Sequence, residues 1–205
     1  MLKIKKTNNR LRNKEYSEYL ESRSLLGILY KLFFIYPKFF KYFGANNLDY
    51  GCGIGDLLYF SKLFNKKLLG VDPNKFNISV CKNRGLNANY LSNNFFNSSK
   101  KEIYDCIVMD NVLEHISKPE KTLKIINQIL KKKAFLIIGV PVGKVGFLAD
   151  PDHKIYYDEK SLDQKLNKYS LSKESFFYVP FNLKFFRDQS KMFCFYAIYK
   201  KDAKC

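Results

Sequence analysis

Apolar and polar stretches alternate along the middle of the chain in a pattern that predicts strands and helices in turn. Five short apolar runs are typical of strands, namely NNLDYG, KKLLGVD, ANYLSNN, YDCIVMD and AFLIIGVP. Three segments between them carry apolar residues at helical spacing, namely GDLLYFSKLF, PNKFNISVCKNRG and KPEKTLKIINQILKKK. Strands that alternate with helices predict an α/β fold with a doubly wound, mostly parallel sheet.

The two ends of the chain depart from this alternation. Residues 1–45 predict an N-terminal helical extension, and residues 46–205 form the main domain. Near the C-terminus, SLDQKLNKY predicts a helix, and SFFYVPF and MFCFYAIYK predict two late strands. Two late strands close in sequence commonly form an antiparallel edge on a parallel sheet. The sequence therefore predicts seven strands with an antiparallel C-terminal edge strand.

The N-terminal extension contains the most apolar run of the chain, residues 25–43. This run holds three lysines and Pro37, which argues against a transmembrane span. Pro37 is expected to end or kink the helical segment. Its Tyr, Phe and Lys content leaves two interpretations open. The segment either packs on the main domain or makes a peripheral contact with a membrane surface.

Composition bounds the compartment and the partners. Five cysteines without CxxC spacing argue against a disulfide framework or a zinc site, and they favour a reducing cytoplasm. The basic N-terminus lacks an adjoining apolar signal core, so export is not expected. The net charge of +17 leaves open an anionic partner, namely nucleic acid, a phosphorylated metabolite or an acidic membrane face, or else a bias in genome composition. Only five of the 36 basic residues are arginines, which weakens the nucleic-acid alternative.

A glycine-rich loop follows the first predicted strand, in LDYGCGIGDLL. Glycine lets the backbone approach a ligand closely, and the loop after the first strand of such a sheet is the usual binding loop. The glycines are Gly51, Gly53 and Gly55, with G-x-G-x-G spacing. This spacing matches neither the GxxxxGK[ST] phosphate loop nor the G-x-G-x-x-G dinucleotide fingerprint.

The loop resembles the first motif of class I S-adenosylmethionine-dependent methyltransferases, and further motifs of that family follow in order. Asp72, in LLGVDP, stands where the family's acidic residue accepts hydrogen bonds from the ribose hydroxyls. YDCIVMDNVLEHI and AFLIIGVP are similar to the fourth and fifth strands of the family, and the resemblance covers residues 46–141. HKIYYDEKSL is similar to a segment of its small-molecule and sugar-type members. The resemblance implies a Rossmann-like fold, with S-adenosylmethionine as cofactor and S-adenosylhomocysteine as product.

The resemblance also implies where the cofactor lies. The glycine loop is expected to wrap its amino-acid end, with Cys52 as a small loop residue and no nucleophile. Asn111 leaves the fourth strand towards the methionine portion. The family's adenine-reading Asp is replaced by Asn93 or Asn94, whose amide oxygen can accept the same bond. The expected cofactor residues are Asp49, Gly51, Cys52, Gly53, Gly55, Asp72, Pro73, Asn93, Asn94 and Asn111.

Methyl transfer to a hydroxyl also requires a general base. The candidates are Glu114 and His115, just past the fourth strand, and His153, in the connection that overhangs the substrate. Each histidine has a structural alternative, in which it braces its turn or pins the connection to the sheet. Tyr156 and Tyr157 are candidate substrate contacts. The pair Asp152–His153 suggests a metal, but no second group of ligands is evident, so no metal site is predicted.

The sequence thus predicts a methyltransferase that acts on a small molecule or a glycan precursor, such as a nucleotide-linked sugar or a surface-polysaccharide precursor. No added nucleic-acid-binding module is visible. The charge of +17 keeps an RNA or other nucleic-acid methyltransferase as the alternative. A catalytically silent cofactor-binding partner protein is the second alternative, motivated by the aromatic, basic segment of residues 25–43.

Overall fold

A computed structural model of the protein describes residues 13–22, 25–92, 95–96, 101–180 and 194–203. Seven strands form one sheet in the order β3-β2-β1-β4-β5-β7-β6. The strands are β1 (Asn47–Tyr50), β2 (Leu69–Asp72), β3 (Ala88–Tyr90), β4 (Tyr104–Asp110), β5 (Leu130–Pro141), β6 (Leu171–Val179) and β7 (Cys194–Lys201). The predicted fold class, a mostly parallel seven-stranded α/β sheet with antiparallel pairing at its C-terminal end, is confirmed.

Strand pairing determines which strand ends meet. β1 pairs in parallel with β2 on one side and with β4 on the other, and β4 also pairs in parallel with β5. The carboxyl ends of β1, β2 and β4 therefore lie together at one edge of the sheet. β7 is antiparallel to both of its neighbours, β5 and β6, and lies just inside the edge strand β6.

Helices cover both faces of the sheet. The helices are α1 (Lys14–Glu21), α2 (Leu25–Tyr30), α3 (Tyr36–Phe40), α4 (Asp56–Leu63), α5 (Lys75–Asn83), α6 (Pro119–Ile129), α7 (Gly143–Leu148) and α8 (Glu159–Asn167). Consecutive strand residues point to opposite faces of the sheet. On one face, Leu136 of β5 belongs to a core cluster with Leu123 of α6. On the other face, Ile137 belongs to a second cluster with Phe39 of α3 and Leu57 of α4. The β5 strand is thus buried on both sides, as continuous apolar strands of parallel sheets are.

The N-terminal segment packs on the α4 side of the sheet. Tyr36 and Phe39 are buried, with Tyr36 against Phe60 and Phe39 against Tyr196 at ring-centroid distances of 5.9 and 5.5 Å. Among the described residues, no helix is long and apolar enough to cross a bilayer. The structure thus shows extensive packing of this segment on the main domain.

Pro37 does not end the helical segment, which was one of its two expected effects. It lies in the first turn of α3, and the preceding residues 31–35 form a π-helical turn. The Tyr36 N–H bonds to the Lys31 carbonyl, five residues back. Because proline has no N–H to donate, the chain changes its hydrogen-bond register before Pro37 and then continues to Phe40.

Gly27→Ala is expected to stabilise the protein. Gly27 lies in α2, and an added Cβ would meet no described atom within 4 Å. Alanine removes backbone freedom from the unfolded chain, so the free energy of unfolding should rise by about 0.5–1 kcal/mol in urea titrations. The contrasting control is Gly139→Ala, where the Cβ would overlap the ring of Tyr196 and unfolding should become easier. A loss of stability in Gly27→Ala would contradict the open environment of this glycine.

Candidate functional site

A cavity of about 730 Å³ opens at the carboxyl ends of β1, β2 and β4. This edge is where open α/β sheets bind their ligands. Residues of the glycine loop, Asp72 and His115 line it, and Lys31 and Tyr36 of the N-terminal segment also reach it. The volume lies within the range of about 300–1,000 Å³ that is common for small-molecule sites.

The glycine loop has the backbone shape that the sequence requires. Gly51, Gly53 and Gly55 have φ angles of 83°, 55° and 88°, in the left-handed region that side chains disfavour. At Gly51, an added Cβ would lie 2.5 Å from a methyl group of Val112. The N–H groups of Gly51 and Cys52 bond to the Val71 carbonyl, at 2.7 and 3.1 Å, which anchors the loop to β2.

The predicted cofactor residues in and before this loop differ in whether they line the cavity. Asp49, Gly51, Cys52 and Gly53 line the cavity, whereas Gly55 lies behind it at the start of α4. There, an added Cβ would meet Leu86 and Cys81 at 2.7 and 2.9 Å, so Gly55 serves close packing. A side-chain hydrogen bond with Cys81, together with burial, raises the pKa of the Cys52 thiol and so disfavours the nucleophilic thiolate.

Asp72 ends β2 and connects three parts of the site. One carboxylate oxygen accepts the Gly53 N–H at 2.9 Å, and the other accepts the Asn74 N–H at 2.8 Å and the Asn77 amide at 3.1 Å. Burial raises the pKa of Asp72, while these hydrogen bonds lower it. Asp72 and Pro73 line the cavity, so this carboxylate both holds the glycine loop and faces the cavity.

Acidic side chains line the part of the cavity next to the glycine loop. Asp49 is buried at the end of β1, and burial together with nearby Asp110 and Asp72 raises the pKa of its carboxyl group. Asp110, at the end of β4, also lines the cavity. These carboxylates complement a cofactor with a positively charged sulfonium and an amino group, and Asp72 supplies acceptors for ribose hydroxyls. The residues present therefore fit S-adenosylmethionine.

Lys31 is a site residue that the sequence analysis did not identify. Its ammonium group lies 2.8 Å from one oxygen of Asp110. The other Asp110 oxygen accepts the Tyr196 hydroxyl at 2.7 Å and the Asn111 amide at 2.9 Å. Asn111 also lines the cavity, with a left-handed φ of 55°. The sequence signal for Lys31 was a single charge within the apolar stretch LLGILYKLFFIY.

Glu114, His115 and His153, the three candidate base residues, form one cluster. Glu114 and His115 belong to the 3₁₀ turn Leu113–His115, and His153 lies in the connection after α7. The His115 and His153 rings are 4.7 Å apart between centroids, and His153 Nε2 lies 3.9 Å from Glu114 Oε1. The Glu114 carbonyl accepts the N–H groups of Lys154 and Ile155, at 2.7 and 3.1 Å, and thereby holds the two segments together.

The members of this cluster differ in exposure and charge. His115 lines the cavity, and burial together with His153 lowers its pKa, so its imidazole is neutral near neutral pH. The Glu114 side chain is 1% exposed, and neither of its carboxylate oxygens has a hydrogen-bond partner among the described residues. Burial raises the pKa of this carboxyl group to about 8. The arrangement can take up a proton or hold a cation.

The two tyrosines that are candidate substrate contacts lie outside the described lining of the cavity. Tyr157 is buried in the core cluster with Leu162 and Leu166, because α8 packs over it. Tyr156 is partly exposed and contacts Phe147 edge to face, at 5.6 Å between centroids. Neither tyrosine is among the described residues that line the cavity.

Two predicted cofactor contacts have no structural description. Asn93 and Asn94 lie outside the described residues, between Ser92 and Phe95. Ser92 and Phe96 on either side of them line the cavity. The assignment of an adenine contact to Asn93 or Asn94 stays a prediction.

The fold is Rossmann-like. Its strand order is β3-β2-β1-β4-β5-β7-β6, with a left-handed glycine loop after β1 and an acidic residue at the end of β2. The family model described as "Methyltransferase domain" matches residues 16–175. Since this match spans well over half of the chain, the chain belongs to that methyltransferase family. The membership confirms the predicted class, S-adenosylmethionine-dependent methyltransferase, and the predicted cofactor.

Individual proteins resemble the chain more distantly. The mitochondrial ubiquinone biosynthesis O-methyltransferase of Dictyostelium discoideum is 28% identical over 114 residues, 47% of this chain and 35% of the relative. The chain thus spans about a third of the length of this curated relative.

A SAM-dependent methyltransferase structure from Archaeoglobus fulgidus has a TM-score of 0.70 at 17% identity, and the match covers 91% of this chain and 98% of that structure's chain. One from Aquifex aeolicus has a TM-score of 0.67 at 21% identity, with coverages of 92% and 98%. At these identities the two structures support the fold alone.

Proposed function

We propose that the protein transfers a methyl group from S-adenosylmethionine to a hydroxyl of a small molecule or a glycan precursor. The observation that carries this proposal is the lining of a single cavity by the glycine loop, by Asp72 and by His115. The cofactor residues and a neutral imidazole thus face the same space. The similarity to an O-methyltransferase of a small molecule, over 47% of the chain, supports a hydroxyl acceptor.

The chain's own residues hold the cofactor and leave room for an acceptor. Gly51–Gly53 and Asp49 would contact its amino-acid end, and Asp72 would accept hydrogen bonds from the ribose hydroxyls. When bound, S-adenosylmethionine supplies a methyl group on a positively charged sulfur, and the spent cofactor is S-adenosylhomocysteine. Because this donor is already activated, the protein mainly has to orient the acceptor and manage its proton.

The cluster of Glu114, His115 and His153 activates the acceptor hydroxyl. His115 is the member whose ring lines the cavity, and its neutral imidazole has a lone pair for a proton or a cation. His153 and Glu114 lie directly behind it. Removal of His115 should therefore slow turnover about a hundred-fold or more, the usual range for acid–base groups.

The charge near the cluster favours an anionic acceptor. Lys121 and Lys154 both line the cavity, with largely exposed side chains. Ammonium groups at a cavity mouth attract phosphate and carboxylate groups. A nucleotide-linked sugar has both the required hydroxyls and a phosphate, which makes it the preferred acceptor within the proposed class.

The test is a methyl-transfer assay with isotope-labelled S-adenosylmethionine and three acceptor sets, namely nucleotide-linked sugars, polyhydroxylated phenols and short RNAs. We expect label transfer to one of the two small-molecule sets, and about a hundred-fold less of it in His115→Asn with the affinity for S-adenosylhomocysteine unchanged. Transfer to RNA alone would establish the nucleic-acid alternative. No binding of S-adenosylhomocysteine would overturn the proposal.

A further inference from the structure

We propose that Glu114, His115 and His153 bind one divalent cation of the zinc class at the edge of the cavity. One ligand atom from each residue lies within 4.8 Å of the others. Two imidazoles and one carboxylate are a common ligand set of catalytic zinc sites, in which a further position stays open to substrate. Nitrogen ligands disfavour Mg²⁺ and Ca²⁺, which prefer oxygen.

Both histidines are held in the manner of metal ligands. His153 Nδ1 is 2.6 Å from the Phe147 carbonyl, and His115 Nδ1 is 3.3 Å from the Asp152 carbonyl. A carbonyl accepts hydrogen bonds, so each Nδ1 has the proton and each Nε2 keeps its lone pair. Metal-binding histidines typically donate their second ring N–H to a carbonyl or carboxylate in this way.

Glu114 gives the second, independent indication. Its carboxylate is almost completely buried, and both oxygens are without a hydrogen-bond partner among the described residues. Keeping such a group ionised without compensation costs several kcal/mol, the usual penalty for a buried ion. A cation between this carboxylate and His153 Nε2 would remove that cost.

The distances leave space for one ion. Zinc lies about 2.0–2.2 Å from nitrogen and oxygen ligands, so the ligand atoms of a tetrahedral site are about 3.5 Å apart. His153 Nε2 and Glu114 Oε1 are 3.9 Å apart. The three ligand atoms lie within 4.8 Å of one another, so side-chain movements on the order of an ångström would complete the site. The backbone hydrogen bonds from Lys154 and Ile155 to the Glu114 carbonyl already hold its two halves together.

The role of this ion rests on the proposed function, although its binding does not. His115 lines the cavity, so the open position faces the acceptor. A cation lowers the pKa of a hydroxyl that it binds. The hydroxyl proton passes to solvent, the oxygen forms a bond to the methyl carbon, and the electron pair of the broken carbon–sulfur bond stays on sulfur. The ion and His115 thus replace a free general base.

The test is a Co²⁺ titration of the chelator-treated full chain, with visible absorption as the readout and Zn²⁺ as competitor. We expect one equivalent of Co²⁺ to bind and Zn²⁺ to displace it. Glu114→Gln should bind Co²⁺ about 10–100-fold more weakly, whereas Glu120→Gln, an exposed carboxylate on α6, should match wild type. No Co²⁺ signal in wild type, or equal affinity in Glu114→Gln, would overturn the inference.

Two further measurements keep the outcome unambiguous. Glu114→Gln keeps the shape of the side chain and removes a buried charge, so without metal it should unfold at no lower a temperature than wild type. Zn²⁺ should raise the unfolding temperature of wild type more than that of this variant. Stabilisation by Mg²⁺ but not by Zn²⁺ would contradict the zinc class. S-adenosylhomocysteine binding, measured separately, distinguishes a failure of this inference from a failure of the proposed function.

Discussion

Asp72→Asn is expected to bind S-adenosylhomocysteine about 10- to 100-fold more weakly than wild type. A hydrogen bond to a charged group contributes about 1.5–3 kcal/mol, and about 1.4 kcal/mol corresponds to a factor of ten in affinity. The substitution also puts an amide NH₂ where one of the Gly53, Asn74 or Asn77 donors needs an acceptor. Isothermal calorimetry with S-adenosylhomocysteine measures the loss.

A ribose-modified ligand separates the two roles of Asp72. An analogue of S-adenosylhomocysteine without ribose hydroxyls should bind wild type weakly, and Asp72→Asn should discriminate little between it and the parent compound. Asp105→Asn is the matched control, because Asp105 lies at the opposite end of the sheet and pairs with Lys131 at 2.7 Å. If Asp72→Asn still prefers the parent compound as strongly as wild type does, Asp72 acts through the glycine loop alone.

The parts of the site that sequence reasoning identified are those built from short segments. The glycine loop directly follows β1, and Asp72 is the last residue of β2, so their position at the carboxyl edge is fixed once the alternation of strands and helices is recognised. The same holds for Asn111, which follows β4. For these residues, local sequence determines location in space.

The cluster behind His115 depends on contacts that the sequence pattern does not contain. Glu114 and His153 are 39 positions apart, and they meet because the Glu114 carbonyl binds the backbone after His153. Without this contact, Asp152–His153 looked like an isolated pair. The irregular connection before α8 has no period from which a facing direction can be derived, so the sequence does not show that Tyr157 lies in the core.

In the N-terminal segment, too, the sequence predicted one structural feature and not another. Its apolar content predicted a helix packed on the sheet or on a membrane, and the structure shows the aromatic packing on the sheet. The π-helical turn before Pro37 has no signature in the spacing, because it follows from the missing N–H of proline and from burial on both sides of it. Lys31, which pairs with Asp110, is the first residue of this π-helical turn. Its position therefore depends on a feature that the sequence pattern does not predict.

Lys31→Met is expected to lower the free energy of unfolding by about 2–4 kcal/mol, because it leaves Asp110 without its cation in a largely buried site. The two side chains are only 24% and 11% exposed, and Asp49 lies close enough for its pKa to be raised by Asp110. Chemical denaturation measures the loss, and Lys62→Met, an exposed lysine of α4, should change stability by less than about 0.5 kcal/mol.

The double variant Lys31→Met/Asp110→Asn tests the cause of this loss. Removing both charges should restore most of the stability, since the remaining amide can still accept the Tyr196 hydroxyl that Asp110 accepts at 2.7 Å. If the double variant is as unstable as the sum of the two single variants, the ion pair contributes nothing and Lys31 acts by packing. Restored stability would instead show that this lysine neutralises the acidic end of β4 and so ties the N-terminal segment to the cofactor cavity.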